Sequence, residues 1–441
     1  MKSAAWIISG SMLNPLARDR VQFLRQGSLV FDDSGTILAV GPRGRLERRF
    51  PRAHRIAVTE GDVIVPGLVD CHTHFAQYDS AGRNDENLLE WLSESIYPEE
   101  ARFRDPGYAR PIARKFFQDL VRAGTTTASV FSTIHETATD IAFHEARRAG
   151  IRAIIGKTMM DRNAPDDLLE RTDASIEASI RLCRKWNGRD EGRLRYAFSP
   201  RFAPSCSFRL MKQAARAAAK LNAHVQTHLA ETQEEVAWVR KLFPNADSYT
   251  KLYEQAQLVR PKAVFGHGIY LSRSDHAVLR RAGAGIAHCP ASNLFLRSGL
   301  MDFRRATADG VSVGLGSDIG AGPVPSILRA MGSAGYISKV LDIESGSSRR
   351  GRSGLPLDPK ELFFAATLGG ASALGVDREI GNLEVGKRAD FIVLNSERLY
   401  TIPPKTAELD ASSIMTLMAY RGDDSVIRET YVDGRLVYAA A

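Results

Sequence analysis

Cysteine is scarce: four in 441 residues, at 71, 183, 206 and 289, with no CxxC pair among them. That excludes a disulfide framework and a thiolate cage for a structural metal or redox pair, and it fits a reducing cytoplasm. Long apolar runs are missing too. No stretch approaches the ~20 residues of a membrane span, and the short apolar patch in the first ten residues lacks the length and cleavage site of a secretion signal. Charge of one sign is not concentrated either. The formal net charge is +8, but Lys and Arg are scattered and interleaved with Asp and Glu, which reads as a solvated surface rather than a nucleic-acid face. One dense basic run, Arg349, Arg350 and Arg352, lies among Ser and Gly and reads as a flexible loop.

What is present is an ordinary globular composition, 44% hydrophobic and 25% charged. The chain is longer than one core usually supports, so a large barrel with an appendage, or two domains, is expected. The two ends read as β structure. Residues 27–40 form strand, Asp-Asp-Ser-Gly turn and strand, and 391–394 and 430–437 are β-rich around a Val-Asp-Gly turn. These ends are expected to meet in a small β-sandwich domain made of 1–65 and 376–441.

Between them, over 66–375, strand and helix patterns alternate, which calls for parallel strands joined by helical crossovers. Amphipathic runs stop at Gly124, Gly150, Gly283 and Gly310, each followed within a few residues by a β-branched run. Eight strands are expected, at 63–74, 125–132, 152–159, 194–202, 223–231, 263–271, 284–293 and 311–318, enough to close an α/β barrel of the (β/α)8 type. Ser272 and Asp275 spell a capping box before Val278 and Leu279. The connection after the first strand, from Phe75 to about Pro111, is long enough to shape a substrate pocket.

His72 and His74 form an HxH at the end of the first strand, where residues two apart project to one side. Alone this is weak evidence, because a single histidine is more often a hydrogen-bonded packing residue than a ligand. His228, His267 and Asp318, however, also fall at the C-terminal ends of expected strands, where a barrel carries its active site. Five metal-competent side chains from four strands point to a metal-dependent hydrolase. Glu231 follows His228 by three residues and can lie over the metal without ligating it, a position suited to moving protons. Glu234 and Glu235 read as acidic residues in a first helical turn. The histidines at 54, 135, 144, 224 and 276 read as packing or surface residues, and His288 is left open.

Three look-alikes fail on context. The GxxxxGK at 381–387 has Arg388 where a phosphate loop needs Ser or Thr, and it sits in a β-rich turn. His135-Glu136 and His144-Glu145 lack the second histidine of a zincin helix. Lys157 could bridge two metals if carbamylated, but the fourth strand supplies no partner ligand, so one metal is expected.

With these residues placed, the chain resembles the amidohydrolase superfamily, through PGLVDCHTH (66–74), QTHLAE (226–231), FGHG (265–268), AHCPASN (287–293), GLGSD (314–318) and IGNLEVGKRADFIVL (380–394). Within it, HFAQY (74–78), LLEWL (88–92), YPEEARF (97–103), TIH (133–135) and PRFAPSCS (200–207) are similar to stretches of the guanine deaminases. Ala230 and Thr232, and the segment 319–322, depart from that pattern. The resemblance implies one Zn2+ per chain held by His72, His74, His228 and Asp318. It also implies that Asp318 accepts a proton from the metal's water, that His267 orients that water, and that Glu231 protonates N3 of guanine. Gln77 and Arg201 would recognise the base, with Phe202, Trp91 and Leu89 at the pocket wall. A cytoplasmic homodimer in purine catabolism is the family expectation. Two rivals are a relative that deaminates or dechlorinates a triazine, pterin or adenine-like ring, and a catalytically silent scaffold on the same fold.

Overall fold

The computed structural model describes residues 5–83, 87–345 and 356–440; the basic run at Arg349, Arg350 and Arg352 lies outside them. Eight parallel strands follow one another around a central sheet in chain order: Leu68–His74, Thr125–Phe131, Arg152–Gly156, Leu194–Pro200, His224–Leu229, Ala263–His267, Gly285–His288 and Ser312–Leu315. Each pairs in parallel with the next. These strands are buried on both faces, as the run TTTASVF shows at all seven positions of Thr125–Phe131, and β-branched residues suit that setting.

The ring shuts between its eighth and first strands through hydrogen bonds just past the eighth strand. The Asp318 N–H donates to the His72 carbonyl at 2.9 Å, and the Ser317 N–H donates to Asp70 Oδ1 at 3.0 Å while its hydroxyl donates to Oδ2. The outer helices follow the sequence pattern. Helix Phe208–Lys220 buries Leu210, Met211, Ala214, Ala215 and Ala218 and is capped by the Ser207 side chain. Ser272 and Asp275 close a reciprocal capping box, and the four expected joint glycines all have positive φ.

Three expected strands are divided. The run 152–159 breaks at Lys157 into Arg152–Gly156 and Thr158–Met159. The run 63–74 breaks at Gly67, where a Cβ would stand 2.1 Å from Thr126 Oγ1, so only glycine lets the chain pass there. Val63–Pro66 pairs antiparallel with Phe391–Leu394 and belongs to the terminal sheet, whereas Leu68–His74 starts the barrel. The run 284–293 leaves the strand after His288 and enters helix Pro290–Phe295, since proline is well suited to a first helical position and not to a central strand. The long connection after the first strand is largely helical, with Pro111 inside helix Pro106–Arg122 rather than at a loop end.

The N- and C-terminal segments join in a single eight-stranded sheet. Two strands separate those of Phe31 and Phe391, yet the rings lie 5.9 Å apart. The sheet therefore curls on itself around an apolar core that includes Ile8, Met12, Leu29, Ile64, Val393 and Tyr431. Arg152 at the base of the third barrel strand ties the two bodies together: its buried guanidinium pairs with Asp390 at 3.0 Å and Asp433 at 2.7 Å.

Candidate active site

His72, His74, His228 and Asp318 meet at the C-terminal mouth of the barrel. His72 Nε2 lies 3.2 Å from His74 Nε2 and 3.2 Å from Asp318 Oδ1, and His74 Nε2 lies 3.3 Å from both His228 Nε2 and Asp318 Oδ1. A tetrahedron with metal–donor bonds of about 2.0 Å has six edges of about 3.3 Å; these separations match four of them, and His72, His74 and His228 lie close enough to share one ion. His72, His228 and Asp318 are also held in the protonation state that ligation needs. Burial and the neighbouring imidazoles outweigh Asp318 and push His72 down to about 4, and burial with the other imidazoles holds His228 well below its ordinary value. Burial opposes ionisation of Asp318, but the surrounding histidines hold its carboxyl well below the usual range. His228 Nδ1–H donates to the Arg201 carbonyl at 2.6 Å, which fixes the tautomer that leaves Nε2 as a lone pair.

The backbone makes room for this convergence and is bent to aim it. A Cβ at Gly266 would come within 2.9 Å of the His72 ring, so the sixth strand can pass the first histidine only because residue 266 is glycine. His267 and Asp318 adopt φ of 68° and 48°, and Ala230, just before Glu231, adopts 50°. Left-handed backbone at non-glycine residues costs energy and clusters at functional sites.

Beside the donor cluster sits a proton-handling pair. His267 Nδ1–H donates to Asn293 Oδ1 at 2.9 Å, and its Nε2 lies 3.3 Å from Glu231 Oε2 and 3.7 Å from Asp318 Oδ2. Ser298 donates to the other Glu231 oxygen at 3.0 Å. Burial, helped by Asp318 and Glu235 and opposed by His267, raises the Glu231 carboxyl to about 7, where it can hold or release a proton at neutral pH. Glu235 is more than a first-turn acid: one oxygen receives the Glu231 N–H at 2.8 Å and the other the Tyr249 hydroxyl at 2.8 Å.

The cluster opens into a narrow cleft at the barrel mouth. Gln77 and Arg201 line its polar side, and Trp91, Phe202, Leu88, Leu92 and Leu296 its apolar side. Leu89 does not reach it. Leu88, Trp91 and Leu92 share one face of the helical segment starting at Leu88, and the intervening Leu89 is turned away and half-buried. The residue that organises the polar side is Glu100, which accepts from Gln77 Nε2 at 3.0 Å and from Arg201 Nη1 at 2.7 Å. Burial works against the Arg201 charge, but Glu100 outweighs it and raises the guanidinium further. Neither Glu100 nor Asn293 was singled out by its position on a strand, although both lie inside the motifs YPEEARF and AHCPASN.

His288 is not part of the cluster. Its ring packs 6.0 Å from Phe303, and burial pushes it down to about 3. Lys157 turns to Glu170, at 2.5 Å, and to Ser175. His54 lies against Trp6 and His276 against Asp309.

A model of the Amidohydrolase family matches residues 63–437. Guanine deaminase of Escherichia coli (strain K12) is 39% identical, over 95% of this chain and 92% of that one. The Homo sapiens guanine deaminase is 33% identical, over 99% and 97%. The crystal structure of guanine deaminase from Bradyrhizobium japonicum superposes with a TM-score of 0.93 at 32% identity, covering 99% of this chain and 100% of that one. The C. acetobutylicum enzyme, solved with guanine in its active site, superposes at 0.90 with 30% identity, covering 98% and 100%. Matched from the terminal-sheet strand Val63–Pro66 into that sheet's last strand, Arg435–Ala439, and along nearly the full length of several relatives, the chain belongs to the amidohydrolase family.

Proposed function

We propose that the protein hydrolyses guanine to xanthine and ammonia, using one zinc ion held by His72, His74, His228 and Asp318. The observation that carries this is the meeting of three histidines and Asp318, with four donor separations of 3.2–3.3 Å, beside a buried carboxylate that does not join them, Glu231, in one cleft. Three imidazoles and a carboxylate with an open position form a catalytic rather than a structural zinc set. The relatives similar over nearly the whole chain are guanine deaminases, and one was solved with guanine in the site. When bound, the ion supplies Lewis acidity that makes water nucleophilic near neutral pH.

The chain's own residues do the rest. Gln77 and Arg201 hold the purine by its polar edge, and Phe202, Trp91, Leu88 and Leu92 cover its flat faces and exclude water. Glu231, protonated part of the time at neutral pH, delivers a proton to ring nitrogen N3 as C2 accepts the water's oxygen; the water's two protons, taken up by Asp318 and Glu231, restore that proton and supply the one the departing amine needs. His267, held by Asn293, keeps its Nε2 directed between Glu231 and Asp318 and so orients the incoming water. One water is consumed and one ammonia released for each guanine. A homodimer in the cytoplasm, acting in purine catabolism, is the proposed setting; the four cysteines are buried and form no disulfide.

Incubating the metal-loaded protein with guanine should yield xanthine and ammonia in equal amounts, followed by ultraviolet absorbance and an ammonia assay. Ammonia from a triazine, pterin or adenine but none from guanine would move the protein to another branch of the family.

A further inference from the structure

Glu100 is 1% exposed and divides its two oxygens between the residues proposed to read the base. Oε1 accepts from Gln77 Nε2 at 3.0 Å and Oε2 from Arg201 Nη1 at 2.7 Å. A primary amide can be turned either way, presenting oxygen or nitrogen. Two neighbours pull Gln77 in opposite directions. His74 Nδ1, 3.3 Å from Gln77 Nε2, carries the ring proton whenever Nε2 binds a metal, and so favours the amide oxygen. Glu100 can only accept, and therefore demands the amide nitrogen. The Glu100 contact is shorter and charge-assisted, roughly twice as strong as a neutral hydrogen bond, so it decides the orientation.

We infer that Glu100 is a positioning residue that sets which purine edge the cleft accepts, by fixing the Gln77 amide with its oxygen toward the ligand; this rests on reading the cleft as a guanine site. With Nε2 committed, Gln77 Oε1 makes no hydrogen bond among the described residues and is left as an acceptor on the cleft wall. Arg201 commits Nη1 to Glu100 and keeps Nε and Nη2 as donors. An acceptor beside donors complements guanine, whose N1–H is a donor and O6 an acceptor. A ring with a bare N1 lone pair sets acceptor against acceptor, and a site built to read an N–H discriminates strongly against an analogue that lacks it.

The test uses 2-aminopurine, which keeps the 2-amino leaving group but has an unprotonated N1 and no O6. Steady-state kinetics are measured on both substrates for the wild-type chain, Glu100→Gln, Gln77→Met and the double variant, with metal content determined for each. In Glu100→Gln the neutral partner no longer compels the amide nitrogen, so the preference for guanine over 2-aminopurine, as a ratio of kcat/KM values, should shrink about tenfold or more, the effect of one hydrogen bond. Gln77→Met should shrink it similarly, and Glu100→Gln added to Gln77→Met should change it no further. A loss that falls equally on both substrates, leaving the ratio unmoved, overturns the inference and makes Glu100 structural only. Should Glu100→Gln fail to fold, an unmoved ratio in Gln77→Met overturns it as well. A wild-type chain inert toward guanine overturns the guanine reading and this inference with it, whereas an active wild type with an unmoved ratio overturns only the role of Glu100.

Discussion

The two halves of the site are built in opposite ways. The donor cluster takes His72, His74, His228 and Asp318 from the ends of three barrel strands, held by the sheet itself. The base-holding wall takes Gln77, Leu88, Trp91, Leu92 and Glu100 from short helical turns after the first strand, with Arg201 and Phe202 from the rim of the fourth and Leu296 from beyond the seventh. A strand end fixes a side chain through the ladder on either side, whereas a short helical turn is fixed by what it packs against. Rigid chemistry therefore sits on the sheet, and the wall that selects the substrate sits on the part of the fold where sequence can change without disturbing the barrel.

That division makes distinct outcomes testable. The largest effect is expected from Asp318→Ala, which removes the carboxylate donor: metal analysis should fall from about one ion per chain toward none, and turnover to background. Full metal occupancy in this variant would break the cluster as drawn. Next, Glu231→Gln should lower kcat by about a hundred- to ten-thousand-fold while the metal stays bound; near-native rates would remove Glu231 from proton transfer. On the wall, Arg201→Ala should raise KM for guanine by about ten- to a hundredfold with metal content unchanged, the range for hydrogen bonds to a charged group. It should also lower Tm, because Glu100 is left as an unpaired buried charge. Smallest is a paired comparison: Leu88→Ala should raise KM a few-fold by opening the apolar wall, whereas Leu89→Ala, which faces away, should leave KM unmoved. If the two leucines exchanged effects, the helical face assigned here would be wrong.

The same division explains what could be read beforehand. Strand ends announce themselves, because alternation in a parallel barrel puts a polar residue at a fixed place, and HTH, THLAE and GLGSD each stop an apolar run there. Gly67 was invisible as a boundary, since Val63–Pro66 and Leu68–His74 are equally apolar and only the approach of Thr126 divides them. Leu89 was mistaken for its neighbours because a one-residue error in helical phase moves a side chain by about 100°. Glu100 was hidden for a different reason. Two adjacent glutamates in a first helical turn look alike in sequence, and only tertiary packing sends Glu99 to Arg102 and Glu100 inward to Gln77 and Arg201. His288, left open by its place beside Cys289, packs against Phe303.

The seam between the last and first barrel strands has a consequence for how the protein would fail. The amide of Asp318 is latched to the carbonyl of His72, so two of the four donors are also the two halves of the clasp that keeps the ring shut. Warming that parts this clasp must spread the donors, and loading the ion must tighten the clasp. Ion release and the opening of the ring should therefore occur as a single event on heating.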